Sequence, residues 1–321
     1  MKKKILITGG FGFIGSNLAS YFLSEGYRVI VIDDLSVGVR SNLKKHKNLI
    51  FIKKRIQDIL SIKINQKIDV CIHLAAKAEI LINKEKENKY FDDNIVGLQS
   101  VLKFCAQKKI EKFIFASSAS VYGDTKNLKV KENFKLKPLH YYAYSKFIGE
   151  KMVENYSKIN GFKFFILRFF NVYGPNSNAV VARFLAQYLQ KKKITIYGNG
   201  KQSRDFINIK DIYGAVKKII NMKIQSNIFN LGSSKSLKIE RLKDLISLNA
   251  DFIKLDKRFD DIEVSIANIK KAKKILKWEP KVDFKKGLQE MNQKDYHRLS
   301  KLKLGTINQQ KKLISRFNKK K

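Results

Sequence analysis

The feature that most restricts the fold of this chain is a glycine-rich segment near its N-terminus, Gly9-Gly10-Phe11-Gly12-Phe13-Ile14-Gly15. It follows a short apolar run at residues 4–8 and opens a helical pattern over about residues 12–25. Because glycine has no Cβ, such a turn lets a pyrophosphate approach the backbone, and the helix N-terminus attracts its negative charge. A structural glycine turn is the alternative. The spacing predicts a dinucleotide site with Gly9, Gly12, Phe13, Ile14 and Gly15.

The remaining pattern predicts an α/β protein. Further apolar runs lie at residues 28–33, 49–52, 68–74, 112–116 and 163–168, and helical patterns separate most of them, notably at 88–108 and 141–159. This alternation is typical of a parallel sheet covered on both faces. We expect a Rossmann-type doubly wound parallel sheet and a smaller C-terminal lobe. The predicted division assigns residues 1–171 and about 206–232 to the dinucleotide domain, about 172–205 and 233–300 to the lobe, and 301–321 to a basic tail.

An acidic residue ends the second predicted strand. Asp33 follows Gly15 by 18 residues, close to the spacing at which a carboxylate binds the adenosine ribose of a dinucleotide. Its charge would repel a 2′-phosphate, and no arginine follows it directly, so the sequence favours NAD over NADP. The neighbouring Asp34 is the alternative residue for this role.

A tyrosine and a lysine are spaced for proton transfer. Tyr142 and Lys146 stand four residues apart in a predicted helix and therefore share one helix face. An ammonium beside a phenol favours the phenolate, which can act as a general base for a hydroxyl proton. Upstream, Ser118 ends a predicted buried strand, where a side chain points into the ligand crevice of an open α/β sheet. A serine-rich turn is the alternative for that segment.

The net charge of +38 allows two interpretations. One interpretation is that the chain binds a nucleic acid or an anionic membrane. The other is a general enrichment in lysine without such a partner, and the even spread of lysines along the chain favours this second interpretation. The tail at 301–321 is basic without an acidic residue, so we expect a solvated terminus or a weak membrane-surface helix. No apolar run reaches the roughly 18 residues of a membrane span. Neither the two cysteines nor the four histidines have metal-ligand spacing. We expect no metal, no nucleic-acid partner and a cytoplasmic location.

Together these residues resemble the extended short-chain dehydrogenase/reductase family, in particular its nucleotide-sugar epimerases and dehydratases. The resemblance covers about residues 4–290. Beyond the glycine segment and Tyr-x-x-x-Lys, it rests on Asp58-Ile59, His73-Leu74-Ala75-Ala76, Asn94, the run Leu167 to Pro175, the run Gly198 to Phe206, Asn230-Leu231-Gly232 and Leu276 to Pro280.

The resemblance implies roles for individual residues. Asp58 and Ile59 should flank the adenine, and Ala75, Ala76 and Asn94 should line the cofactor. On the substrate side, Asn171 should contact the sugar or its phosphate, Arg204 and Arg258 the diphosphate, and Asp261 the nucleotide ribose. Arg168 should be structural, and Lys77, which replaces a small residue, should touch the diphosphate or face solvent. The resemblance also implies a tightly held NAD and a homodimer through the helices near 88–108 and 141–159.

Two positions select among the reactions of the family. Similar dehydratases carry an Asp-Glu pair after the catalytic hydroxyl, and similar UDP-glucuronate decarboxylases keep a glutamate there, whereas this chain has Ala119 and Ser120. The resemblance therefore implies 4-epimerisation of a UDP-hexose. Ser265 stands where similar enzymes limit room for the C2 substituent, and its small size favours N-acetylated sugars or their uronic acids. UDP-glucose and UDP-galactose remain open, as do a dehydratase or reductase and a non-enzymatic NAD-sensing protein.

Overall fold

Strands and helices alternate along the chain in a computed structural model that describes residues 2–78, 87–125, 128–258 and 261–318. The strands are β1 (Lys4–Thr8), β2 (Arg28–Asp33), β3 (Leu49–Lys53), β4 (Val70–His73), β5 (Lys112–Ser118), β6 (Lys129–Val130), β7 (Lys163–Phe169), β8 (Asn171–Tyr173), β9 (Ile194–Tyr197), β10 (Ser203–Arg204), β11 (Phe206–Asn208), β12 (Asn227–Leu231), β13 (Leu237–Lys238), β14 (Phe252–Leu255) and β15 (Val264–Ala267). The helices are α1 (Phe13–Ser24), α2 (Glu87–Phe91), α3 (Gly97–Gln107), α4 (Tyr141–Asn160), α5 (Val180–Leu189), α6 (Ile209–Asn221), α7 (Ile239–Ile246), α8 (Lys270–Leu276), α9 (Phe284–Ser300) and α10 (Ile307–Asn318).

Seven strands form one parallel sheet in the order β12-β7-β5-β4-β1-β2-β3. The chain moves from β1 through β2 to β3 in one direction and places β4, β5, β7 and β12 on the other side of β1. The order reverses between β1 and β4, and the carboxyl ends of these strands are where an open α/β sheet binds its ligand. The expected doubly wound parallel sheet is confirmed.

The apolar runs of the strands are continuous because both sheet faces are buried. Along β1, Ile5 and Ile7 pack into one apolar cluster with Phe22 of α1, while Leu6 packs into a second cluster with Val101 of α3. A strand covered on only one face would alternate between apolar and polar residues. Helices on both faces therefore explain the sequence pattern that predicted the sheet.

The helical stretch expected over residues 88–108 is present, but the type of helix changes inside it. A π-helical turn, Asp92–Val96, separates α2 from α3. Such a turn widens the helix by one residue and is frequent at functional sites. Here it carries Asn94, whose side chain is buried.

A separate apolar cluster forms the smaller lobe, with Phe184 and Leu185 of α5, Ile194 of β9 and Met291 of α9. β9 pairs with β14 outside the large sheet, whereas β12 is the edge strand of the large sheet. The exact division into the two predicted domains stays a prediction.

The C-terminal segment forms a helix rather than a frayed end. In α10, Ile314 is 1% exposed, and the carboxamide oxygen of Gln310 accepts a hydrogen bond from the Tyr197 hydroxyl of β9 at 3.2 Å. Ile314 was predicted to be part of an apolar face for lipid, but the protein covers it. Within the described ranges, no helix has the length and apolar character that crossing a membrane requires.

Candidate active site

The glycine segment makes a turn whose backbone faces a cleft. Gly9 has φ +70°, and its N–H donates to the carbonyl oxygen of Ile32 at 2.8 Å. A Cβ on Gly9 would lie 2.7 Å from the amide nitrogen of Ala75, and one on Gly15 would overlap the carbonyl oxygen of Gly9. A Cβ on Gly12 would meet only that carbonyl oxygen, at 3.3 Å, so the backbone at Gly12 is open to the cleft. This cradle fits the pyrophosphate of a dinucleotide.

The cleft runs between the loops that follow β1, β2 and β4. Its lining includes five of the predicted cofactor residues, Gly9, Gly12, Asp33, Ala75 and Ala76. The other three residues of the glycine prediction, Phe13, Ile14 and Gly15, belong to the first turn of α1. Phe13 and Ile14 pack partly buried against the core, and Gly15 is buried. The rival Asp34 also lines the cleft.

Asp33 is held in place by the backbone on both sides. One of its carboxylate oxygens accepts a hydrogen bond from the Phe11 amide, and the other accepts one from the Leu35 amide, each at 2.8 Å. Burial raises the pKa of Asp33, and the two amide hydrogen bonds oppose that rise. The carboxylate is thus oriented at the carboxyl end of β2, as the NAD prediction requires.

Asp58 and Ile59, which the resemblance places beside the adenine, lie in the segment that follows β3. They belong to a short 3₁₀ helix, Ile56–Ser61, in which Asp58 is exposed and Ile59 is fully buried in the core. Three residues complete a turn of such a helix, so Ile56 and Ile59 share its inner face and Asp58 points outwards. Lys54, Ile56 and Gln57 of the same segment line the cleft, and the contact of Asp58 and Ile59 with the adenine stays a prediction.

Asn94 acts on the cleft through its neighbours. Its carboxamide accepts a hydrogen bond from the Lys77 amide at 2.8 Å and donates to the Lys77 carbonyl oxygen at 3.0 Å and to the Ser145 hydroxyl at 2.9 Å. It therefore fixes the loop after β4 to α4, and its contact with the cofactor stays a prediction. The Lys77 ammonium lies on the cleft, 3.2 Å from the Ser36 hydroxyl and 3.8 Å from the Asp93 carboxylate.

The predicted catalytic residues come together at the carboxyl end of β5. Tyr142 and Lys146 lie on α4, with the Lys146 ammonium 5.8 Å from the centre of the Tyr142 ring. Ser118 lies beside the Tyr142 phenol and lowers its pKa. The four-residue spacing therefore places Tyr142 and Lys146 next to each other on one face of α4, as expected.

In the protein without bound NAD or substrate, Lys146 does not lower the pKa of Tyr142 as expected. Burial raises the pKa of Tyr142 to about 12, and the hydrogen bond from Ser118 only partly offsets this. Burial also lowers the pKa of Lys146, which is 4% exposed, to about 7, against an opposing effect of Glu150. Loss of solvation dominates because it penalises the charged form of both groups.

A buried ion pair supports the catalytic helix from behind. Arg168 of β7 donates two hydrogen bonds to the Glu150 carboxylate, at 2.9 and 2.7 Å, and Ser117 donates a third at 2.5 Å. Arg168 also donates to the Tyr122 hydroxyl at 2.9 Å. Sequence reasoning treated Arg168 as structural but missed Glu150, although Glu150 follows Lys146 by four residues on the same helix face.

Three predicted substrate residues meet where β10 and β15 pair. Arg204 forms an ion pair with Asp261 and donates to the Ile262 carbonyl oxygen at 2.9 Å. The Cα atom of Arg204 is directly opposite that of Ser265, which is buried. Arg204 and Asp261 were expected to contact different parts of a substrate, whereas here they contact each other.

The other two substrate residues flank this cluster. The Asn171 side chain donates to the Asp205 carbonyl oxygen at 3.2 Å, and the Arg258 carbonyl oxygen accepts from the Asp261 amide at 3.1 Å. Phe259 and Asp260, which complete the Arg-x-x-Asp segment, lie outside the described residues.

Known proteins are similar to this chain in both sequence and fold. Residues 5–232 match the NAD dependent epimerase/dehydratase family. A UDP-glucuronate 4-epimerase of Thermodesulfobacterium geofontis is 33% identical over 88% of this chain and 93% of its own length.

Solved structures of UDP-sugar 4-epimerases are also similar to this chain. The UDP-N-acetylglucosamine 4-epimerase of Methanobrevibacter ruminantium, in complex with UDP-N-acetylmuramic acid, is 33% identical with a TM-score of 0.83 and covers 91% of this chain and 98% of its own. The UDP-glucose 4-epimerase of Thermotoga maritima, solved with UDP-glucose, is 30% identical with a TM-score of 0.85 and covers 92% and 98%. With its dinucleotide cradle and Tyr-x-x-x-Lys pair, this chain belongs to the NAD-dependent epimerase/dehydratase family.

Proposed function

We propose that this chain interconverts the C4 epimers of a UDP-hexose. The supporting observation is the composition of the site, in which Tyr142, Lys146 and Ser118 meet while Ala119 and Ser120 follow the serine. Neither alanine nor serine exchanges protons near neutral pH. A hydroxyl can therefore be deprotonated at this site, but those two positions offer no acid or base for eliminating water. Epimerisation needs no further proton-transfer group.

The residues of the chain have distinct parts in this reaction. NAD, which the glycine turn and Asp33 would hold, would supply the acceptor and donor of the C4 hydride. Tyr142 takes the C4 hydroxyl proton as the carbon–hydrogen bond breaks and a carbonyl forms, while Ser118 holds the same oxygen. Lys146 favours the phenolate through its charge. After the 4-keto sugar turns about its diphosphate linkage, Tyr142 gives the proton back and the site is restored.

The diphosphate and nucleotide of the substrate are assigned to the cluster at β10 and β15. Arg204 and Arg258 carry the planar guanidinium groups that bind phosphate oxygens in pairs. Because Asp261 already pairs with Arg204, it can hold that guanidinium in place and still accept a ribose hydroxyl. Asn171 lies on the sugar side of this cluster.

The sugar is proposed to be N-acetylated. Ser265 is a small residue directly across from Arg204, at the position where the resemblance implies that a bulky side chain limits room for the C2 substituent. The relative from Methanobrevibacter ruminantium acts on UDP-N-acetylglucosamine. UDP-glucose is the second candidate, favoured by the Thermotoga relative, because extra space admits a smaller sugar without rejecting it. The Thermodesulfobacterium relative makes UDP-glucuronate a third.

The same proposal includes a retained cofactor and a homodimer. Apolar side chains are exposed on the outer face of α2, the π-helical turn and α4, among them Phe91 (51%), Val96 (47%) and Tyr144 (50%). We propose that a second copy covers these exposed apolar side chains. The NAD is proposed to stay bound through turnover because each cycle regenerates it.

The experiment that tests this proposal is NMR of the purified protein with UDP-N-acetylglucosamine, UDP-glucose and UDP-glucuronate in turn, first without added NAD. We expect the C4 epimer of the N-acetylated sugar to form fastest. Formation only after NAD is added would remove the claim of a retained cofactor, and a faster reaction of UDP-glucose would remove the N-acetyl preference. No epimer from any of the three sugars with NAD present would refute the proposed function.

A further inference from the structure

The catalytic Ser118 is itself held by a second serine. Ser118 ends β5 and caps the short 3₁₀ helix Ala119–Tyr122, where its hydroxyl oxygen accepts a hydrogen bond from the Ser120 amide at 3.2 Å. The Ser120 hydroxyl lies 2.9 Å from the same oxygen. The Ser118 oxygen thus has two neighbouring donors from one residue.

The valences of these groups determine the direction of the hydrogen bonds. A serine hydroxyl has two acceptor lone pairs and one proton to donate. When the Ser120 amide and hydroxyl occupy both lone pairs, the Ser118 proton is left to point at the neighbouring Tyr142 phenol or, with substrate bound, at the C4 oxygen that Tyr142 deprotonates. We propose that Ser120 is a positioning residue that makes Ser118 a hydrogen-bond donor to Tyr142.

This role rests on the proposed function, in which Tyr142 is the base. In this arrangement the Ser120 hydroxyl donates to the Ser118 oxygen, and the Ser118 hydroxyl donates to the Tyr142 oxygen. The Tyr142 oxygen is the atom that becomes negatively charged when Tyr142 ionises. Hydrogen bonds in such a chain polarise one another and strengthen towards an ionised acceptor. Without the Ser120 hydroxyl, one Ser118 lone pair has no donor, and Ser118 can accept a hydrogen bond from Tyr142 instead of donating one.

The charged and aromatic groups around the pair are fixed on other elements. The Lys146 ammonium and, four residues further along α4, the Glu150 carboxylate face the site from one side, and the buried His73 of β4 is sensitive to the charge of Lys146. The His140 ring stacks parallel to the Tyr142 ring, with centres 6.0 Å apart. None of these contacts involves the Ser120 side chain, so a change at Ser120 isolates the hydrogen-bond chain.

Two variants of equal shape test the proposal in the NAD-loaded protein. Ser120→Thr keeps the hydroxyl, whereas Ser120→Val replaces it with a methyl group. We expect Ser120→Val to lower kcat by about 5- to 10-fold with KM changed less than about 2-fold, and Ser120→Thr to stay within about 2-fold of wild type. In Ser120→Val the rising limb of the pH–rate profile should move to higher pH, because the phenolate loses support.

A second measurement does not depend on turnover. The Cζ NMR signal of ¹³C-labelled Tyr142, assigned with Tyr142→Phe, reports the hydrogen bond at the phenol and should move in Ser120→Val but not in Ser120→Thr. Ser120→Ala, which adds no branch, should behave like Ser120→Val even if the branched variant fails to fold. Equal rates, pH profiles and Cζ signals in all the folded variants would overturn the proposal. A wild-type protein that epimerises no UDP-sugar while the Cζ signal moves as expected would overturn the proposed function alone.

Discussion

Burial acts in opposite directions on the two ionisable residues of the catalytic pair. It raises the pKa of Tyr142 to about 12 and lowers that of Lys146 to about 7. Tyr142→Phe removes only the hydroxyl, so NAD binding should persist while kcat falls by about 10²- to 10⁴-fold. NAD content, measured by absorbance after denaturation, and epimerisation, measured by NMR, check both parts. Full activity in this variant would remove Tyr142 from the role of base.

The low pKa of Lys146 also affects stability in the NAD-free protein. The unfolded chain keeps this proton up to about pH 10.5, whereas the folded protein releases it near pH 7. The unfolded state therefore binds more protons between these values, and stability must rise with pH there, by at most about 1.4 kcal/mol per unit. Urea unfolding of wild type and Lys146→Met at pH 6.5, 8 and 9.5 measures this. The free energy of unfolding of wild type should rise with pH relative to that of Lys146→Met. A difference between the two proteins that does not change with pH would mean that Lys146 does not have a lowered pKa in the folded state.

Ser265 is the residue at which substrate choice can be altered. Its side chain is buried opposite Arg204, so a tyrosine there must project towards the sugar or displace β15. Ser265→Tyr should reduce turnover of UDP-N-acetylglucosamine by about 10-fold or more and that of UDP-galactose by less than about 3-fold. Ser265→Ala, which changes the volume little, is the matched control. Equal losses for the two substrates would show that this position does not contact the C2 substituent.

At the scale of elements, the buried pair of Glu150 and Arg168 joins the catalytic helix α4 to β7. The charges of both residues are buried and satisfied by each other, so removing one leaves the other unpaired. Glu150→Gln should therefore lower the free energy of unfolding by about 3–5 kcal/mol. The double variant Glu150→Gln/Arg168→Met should be more stable than the single one in urea unfolding. A double variant that is less stable than either single change would mean that the two residues act independently.

The elements also explain which predictions from the sequence succeeded. The apolar strands and the glycine turn were predictable because each is a local pattern with one physical cause, namely burial on two faces or the lack of a Cβ. The exposure of Asp58 beside the buried Ile59 was not, because it depends on a 3₁₀ helix, whose turn differs from that of a strand or an α-helix. The π-helical turn at Asn94 was also missed, since it inserts one residue without interrupting the apolar spacing. Ser120 was noticed only as a missing acid, because its contact with Ser118 depends on the bend after β5.

At the scale of the whole molecule, the net charge of +38 bears on two kinds of association, a dimer of this chain and binding to nucleic acid, and salt should act on them in opposite directions. Two copies of so basic a chain repel each other, and the apolar faces of α2 and α4 must overcome that repulsion. Salt screens it, since the Debye length falls from about 30 Å at 0.01 M to about 10 Å at 0.1 M. The dimer should therefore tighten as salt increases.

Binding to nucleic acid, the alternative meaning of the charge, would weaken steeply under the same change because it depends on displaced counterions. Sedimentation of the protein at 20 and 300 mM NaCl, alone and with a short DNA duplex, measures both responses. Phe91→Glu should weaken the dimer at both salt concentrations, since it places a charge in the proposed apolar contact. A dimer that dissociates as salt rises would mean that ion pairs, and not these apolar faces, hold the two copies together.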